Sequence, residues 1–231
     1  VLTLEALRLR QGGFALAADA EVPPGGIVAI VGPSGGGKST LLSAIAGFLA
    51  PEAGTVRWDG RDLAGLPPGE RPVSILFQDG NLFPHLTVAQ NVGLALGPRL
   101  RLSAEQAGRV DTVLSLVGLA GRGDDRPGQL SGGQQSRAAL ARVLLSGRPL
   151  ILLDEPFAAL GPALKDEMLD LVAGELAADG RLILMVSHDP QDALRVAERT
   201  MIVADGRVSG PLATAEVMAD PPPALKAYLG R

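Results

Sequence analysis

Short apolar runs alternate along this chain with stretches of helical spacing. Ile27-Val28-Ala29-Ile30-Val31, Val73-Ser74-Ile75-Leu76-Phe77, Leu150-Ile151-Leu152-Leu153 and Leu182-Ile183-Leu184-Met185-Val186 are near-continuous apolar segments. Such runs form strands buried on both faces of a parallel sheet. Leu2–Leu9 instead alternates apolar with other residues, and Phe14–Val22 follows as a second strand ended by Pro23-Pro24-Gly25-Gly26. Thr55–Trp58 leads into the turn Asp59-Gly60, so the first segment predicts an antiparallel β layer laid against a parallel core. Leu41, Leu42, Ile45, Ala46 and Leu49 recur at helical spacing. Val110, Val113, Leu114 and Val117 share one helical face, with Ser103 as its cap, and open a helical segment reaching about Leu145. Leu164–Leu176 reads as an amphipathic helix, Met201–Ala204 and Arg207–Ser209 as a hairpin about Asp205-Gly206, and Ala213–Leu229 as helix interrupted by three prolines.

The fold expected is α/β: a nucleotide-binding core with a mostly parallel sheet over 1–80 and 148–212, a mainly helical part over 81–147, and a helical tail over 213–231. The 231 residues allow one large domain with a sizeable core. A net charge of -4, from 21 basic and 25 acidic residues, gives no global basic field, so nucleic acid is not an expected partner. The absence of cysteine excludes a disulfide framework and thiolate metal sites. No apolar run approaches the ~18 residues that would span a bilayer, and the N-terminus lacks the pattern of a signal peptide.

The chemistry concentrates at strand ends. Gly32-Pro33-Ser34-Gly35-Gly36-Gly37-Lys38-Ser39-Thr40 fills every fixed position of the phosphate loop, between a buried strand and a helix. Its glycines let backbone N–H groups form an anion nest, and the helix N-terminus adds partial positive charge. Lys38 is suited to the β- and γ-phosphates of a nucleoside triphosphate, and the Ser39 hydroxyl to Mg²⁺. Asp154, ending another apolar strand, is placed to hold the Mg²⁺ shell, and Glu155 to polarise an attacking water. Gln78 and His188 end two further buried strands, at the edge where α/β folds bind ligands. Ser131-Gly132-Gly133-Gln134 opens a second helix with a capping serine, a second anion-binding N-terminus far in sequence from the first. Asn81–Thr87 carries three large apolar side chains in a proline-containing loop. Two readings stand equally: the loop feeds its own core, or it presents a partner surface.

Taken in order, the phosphate loop, Gln78, Leu130-Ser131-Gly132-Gly133-Gln134, Asp154-Glu155 and His188 resemble the ATP-binding cassette of ABC transporters, over about residues 2 to 210. The resemblance implies a head-to-tail homodimer, each ATP lying between Gly32–Thr40 of one copy and Ser131–Gln134 of the other. It implies Glu155 as catalytic base, His188 on the γ-phosphate, and Gln78 on Mg²⁺ or water and linked to a transmembrane permease received around Leu82–Leu86. A peripheral position on the cytoplasmic face of the inner membrane, and an indirect partnership with a periplasmic binding protein, follow from the same resemblance.

The stretch from Arg71 to Asn91, with Ala46–Leu49 and Val203–Arg207, is similar to the ATP-binding subunits of bacterial thiamine importers. Cassettes for iron, sulfate or polyamines share much of it. A soluble or exporter-type cassette is the competing class, and the soluble type commonly carries two cassettes or a long insertion. The short C-terminal stretch fits the thiamine-importer resemblance, which implies no added regulatory domain of the kind that many sugar, sulfate and metal importer cassettes carry. Two places depart from the pattern. Ala158-Ala159-Leu160-Gly161 lacks the aspartate usual at its last position, and Leu9-Arg10-Gln11 lacks the aromatic on which adenine stacks. Phe14 is the nearest aromatic, and Arg10 is the other candidate.

Overall fold

A computed structural model describes residues 1–77, 82–98, 100–158, 160–177 and 180–229. Ten strands form one mixed sheet in the order β5-β4-β1-β2-β10-β9-β3-β8-β7-β6. Its core is parallel: β3 (Gly26–Val31), β8 (Leu182–Val186), β7 (Leu150–Asp154) and β6 (Val73–Leu76) run side by side, with β9 (Arg199–Ala204) parallel on the other side of β3. The N-terminal strands β1 (Leu2–Gln11), β2 (Phe14–Val22), β4 (Ala53–Trp58) and β5 (Arg61–Asp62) pair antiparallel, as expected. They are not a separate layer, however. β10 (Arg207–Ala213) pairs antiparallel with β9 and, over two residues, parallel with β2, so the antiparallel strands extend the same sheet edge to edge.

Every residue of β7 and β8 is buried, which is why these strands read as unbroken apolar runs. Side chains alternate between two cores. Val28, Ile30, Leu152, Leu184 and Val186 join Leu41, Leu42 and Ile45 of α1 (Lys38–Ala46) on one face. Ile27, Ala29, Val31, Ile151, Leu153 and Ile183 meet the other face, covered by α4 (Gly132–Leu145), α5 (Pro162–Leu171) and α6 (Pro190–Val196). A third apolar cluster gathers α2 (Val88–Gly93), α3 (Ala104–Leu116) and α4. Helix α2 was not anticipated from periodicity, although Thr87 and Gln90 form a reciprocal capping box at its start. The helix expected over Leu164–Leu176 ends at Leu171 and passes into wider π turns over Val172–Ala177. The C-terminal helical stretch divides into α7 (Thr214–Ala219) and α8 (Pro223–Leu229), separated at the prolines.

The helix that carries the phosphate loop is closed at its far end by a buried cation. Arg71 is 6 % exposed; its Nη1 donates to the carbonyls of Ala44 and Ile45 at 2.9 and 2.8 Å, and its Nε to that of Leu66 at 3.1 Å. A cation at a helix C-terminus opposes the negative end of the macrodipole and satisfies orphan carbonyls. Room for it depends on Gly47, at φ 90°, where a Cβ would stand 2.5 Å from Arg71 Nε. Arg71→Ala is expected to destabilise the fold by about 2–3 kcal/mol, the loss of charge-assisted bonds to buried acceptors, with Lys restoring only part. Urea unfolding of the variants measures this.

Candidate functional site

The parallel strands end together, so their following residues converge at one edge of the sheet. After β3 the chain turns through Gly32–Gly37 and enters α1, with the Gly36 N–H bonded to the Pro33 carbonyl at 3.1 Å. Gly32 is irreplaceable on steric grounds: φ is 150° and a Cβ would lie 2.0 Å from the Val203 carbonyl oxygen. Gly37, at φ 99°, has the Phe14 ring at 2.6 Å from the same imagined atom, so Phe14 packs beneath the loop. Arg10 is paired with Glu52 at 3.2 Å, and Gln11 Oε1 accepts from the Thr40 hydroxyl at 3.4 Å.

Lys38 is 6 % exposed, and its ammonium donates to the carbonyls of Gly32 at 2.8 Å and Pro33 at 3.0 Å. Burial pulls its pKa down, against the opposing charges of Glu155 and Asp154. Ser39 and Asp154, 115 residues apart in sequence, meet: the hydroxyl donates to Asp154 Oδ1 at 3.1 Å. Burial holds the Asp154 carboxyl above its usual range and Glu155 pushes the same way, while the Ser39 bond and Lys38 act against them. Two hard oxygen donors converging beside the glycine-rich turn fit Mg²⁺, which keeps several waters and needs few protein ligands. Among the described residues no cluster of three or more His, Cys, Asp or Glu side chains offers a closed metal site.

Glu155 follows β7 with φ at 47°, a left-handed conformation that costs a non-glycine residue about 1–2 kcal/mol. Its N–H bonds the Val186 carbonyl at the end of β8, 3.2 Å away. Two residues past Val186 stands His188, whose Nδ1 lies 3.6 Å from Glu155 Oε2. The structure thus joins Lys38, Ser39, Asp154, Glu155 and His188 at one edge. Gln78 lies outside the described residues.

The N-terminus of α4 is built separately. Ser131 Oγ accepts the Gln134 N–H at 3.3 Å and Gln134 Oε1 accepts the Ser131 N–H at 2.9 Å, a capping box that occupies both side chains. Its neighbours are Leu160 and Leu164, both within 3.3 Å of a Cβ imagined on Gly133. Gly161 takes the N-cap position of α5 with φ −68° and no side-chain bond to the helix. Among the described residues nothing lies within 4 Å of where its Cβ would be, beside its chain neighbours.

The loop after the Gln78 strand divides between the two readings open for it. Leu82 packs against both the second and third apolar clusters, whereas Phe83 is 47 % exposed. Asn91, fully buried, holds this loop: its side chain accepts the Phe83 N–H and donates to the carbonyls of Phe83, Leu86 and Thr87. Sequence reading gave Arg71 and Asn91 no role beyond bounding one similar stretch, and it passed over Lys165; burial is what reveals the first two.

Residues 17–158 match the family model described as ABC transporter. The chain belongs to the ABC transporter family. Within this family, the cassette is 62 % identical over 230 residues to the thiamine import ATP-binding protein of Cereibacter sphaeroides, with both chains covered completely. It is 54 % identical to the protein of the same name from Ruegeria sp., again over the whole of both, and 53 % identical to that of Escherichia coli over 79 % of this chain and 78 % of that one. Its fold is similar to that of a dimeric ATP-binding cassette in a post-hydrolysis state bound to ADP and Pi, with a TM-score of 0.81 and 30 % identity over 93 % of this chain and 99 % of the other. The cassette is an ATPase. No helix among its described residues is long and apolar enough to cross a membrane.

Proposed function

We propose that this cassette is the energy-coupling subunit of a bacterial thiamine importer, acting as a head-to-tail pair that closes on ATP and reopens after hydrolysis. The observation that carries the mechanism is the meeting of Ser39 with Asp154 and of Glu155 with His188 at one sheet edge. The thiamine assignment rests on full-length likeness to thiamine import ATP-binding proteins.

In this reading the N–H groups of Gly32–Gly37 and the start of α1 cradle the phosphates, and Lys38 exchanges its backbone carbonyls for β- and γ-phosphate oxygens. Ser39 and Asp154 would hold Mg²⁺, which when bound would neutralise phosphate charge. Glu155 orients and polarises the attacking water, and His188 donates to the γ-phosphate as charge develops. The exposed N-terminus of α4 faces the ATP held by a second copy, which accounts for two anion-binding helix starts in one chain.

The permease docks on the cytoplasmic side against the surface that includes Phe83. Leu82 is the wrong probe of this surface, because it also feeds the core. Phe83→Asp is expected to abolish co-purification with the permease while basal ATPase persists. In the reassembled importer, thiamine loaded on its binding protein should stimulate ATP hydrolysis. Stimulation by iron, sulfate or a polyamine instead would overturn the thiamine assignment, and assembly of Phe83→Asp with the permease would overturn the docking surface.

A further inference from the structure

His188 stands between two residues that are clamped from one point. Ser187, 6 % exposed, donates its hydroxyl to Asp192 Oδ2 at 2.6 Å and accepts the Asp189 N–H at 3.0 Å. Asp189 caps α6 by accepting the Gln191 N–H at 3.0 Å. Both carboxylates then converge on Lys165, whose Nζ lies 2.6 Å from Asp189 Oδ2 and 2.7 Å from Asp192 Oδ1. Asp192 is 8 % exposed. Burial works against the Lys165 charge, but its bonds to Asp189 and Asp192 outweigh this and raise its pKa.

Lys165 also belongs to the segment that follows Glu155. It sits in the first turn of α5, its N–H bonded to the Gly161 carbonyl at 2.9 Å. One ammonium therefore ties the segment running on from Glu155 to the turn carrying His188. The Glu155–His188 approach of 3.6 Å lies where these two segments meet. The same helices are joined a second time, farther along: Arg195 on α6 pairs with Asp166 and Asp170 on α5, at 3.2 and 2.7 Å. That pairing touches neither Ser187 nor Asp189. The molecule thus contains both the clamp and its own control.

We propose that Lys165 is a positioning residue for ATP hydrolysis, holding the His188 turn in register with Glu155; this rests on the reading of Glu155 and His188 as the hydrolytic pair. It touches neither nucleotide nor water in this role and acts through the backbone of residues 187–189. Because the phosphate loop lies on other strands, ATP binding does not depend on it. The signature is a fall in kcat with KM preserved.

The test compares Lys165→Met, Lys165→Arg and Arg195→Met in steady-state hydrolysis of Mg·ATP by the full chain. Displacement of a catalytic group by about 1 Å lowers rates by up to about 100-fold, so Lys165→Met is expected to lower kcat by about 10- to 100-fold at nearly unchanged KM. Lys165→Arg, which can still span both carboxylates, is expected to recover most of the rate. Arg195→Met removes the other ion pairs between the same helices and is expected to leave kcat close to the native value. Lys165→Met with Asp192→Asn removes the unpaired buried charge if the single variant folds poorly, and keeps an acceptor for Ser187; it too is expected to be slow.

His188→Ala combined with Lys165→Met should be no slower than His188→Ala alone, since one acts through the other. Equal losses in Lys165→Met and Arg195→Met, or additive losses with His188→Ala, would assign the clamp to stability alone and overturn the proposal. Hydrolysis at the native rate by His188→Ala itself overturns the reading of the pair, an outcome distinct from the failure of Lys165.

Discussion

Glu155→Gln is expected to bind Mg·ATP and to stop there. The substitution preserves shape, so the left-handed backbone at φ 47° and the N–H bond to the Val186 carbonyl both survive. What disappears is a carboxylate able to accept charge from the attacking water, a contribution of about 10²–10⁴ in rate for a positioned base. With binding intact and hydrolysis slowed by that factor, closed dimers accumulate on ATP. Size-exclusion chromatography with ATP, alongside phosphate release, reads both effects at once. The strained backbone makes the case stronger than residue type alone. A non-glycine residue is held in a costly conformation at the one place where its carboxylate meets His188, and such strain collects at functional sites. Native turnover by a monomeric Glu155→Gln would sink the catalytic role.

The parts of the site that were legible in the sequence are those whose chemistry imposes a local spacing. Gly32 through Thr40 reads directly because its proposed role, surrounding one anion, asks for backbone, lysine and hydroxyl at adjacent positions. Asp154, Glu155 and His188 were legible for a different reason: each follows a run buried on both faces, and such runs can only be central strands whose ends share an edge. The join between the antiparallel and parallel strands was not legible. It rests on Arg207 and Val208 pairing with Ala17 and Ala18, and nothing local to either strand names its neighbour.

The supporting side chains were hidden for the same reason. Lys165 looks like an ordinary exposed lysine at the start of an amphipathic helix until Asp189 and Asp192 arrive from 24 and more residues away. Arg71 reads as a turn residue before a strand, yet it closes the C-terminus of α1, 26 residues earlier. Helix α2 was missed because six residues give too little periodicity to detect, although its capping box was written in Thr87 and Gln90. In the loop before it, counting apolar residues left two uses undivided; burial assigns Leu82 to the core and leaves Phe83 exposed.

Removing the Lys38 side chain is expected to abolish tight ATP binding while leaving the fold in place. The fold does not lean on Lys38, because Leu41, Leu42 and Ile45 anchor α1 to the sheet with no exposed surface of their own. Nor is its ammonium in a comfortable place: burial lowers its pKa, and its partners, the carbonyls of Gly32 and Pro33, are neutral. Phosphate oxygens are better partners for that charge than carbonyls. Charge-assisted hydrogen bonds are worth about 1.5–3 kcal/mol each, so losing contacts to the β- and γ-phosphates should weaken binding by about 10²–10³-fold or more. Thermal unfolding separates the two claims. Mg·ATP at about 100 times its Kd adds about 2.7 kcal/mol to the stability of the native chain. Lys38→Ala should melt near the native temperature without nucleotide and gain almost nothing from the same ATP concentration. A full ATP-dependent gain in the variant, together with native hydrolysis, would mean that the triphosphate is held elsewhere than at Gly32–Thr40.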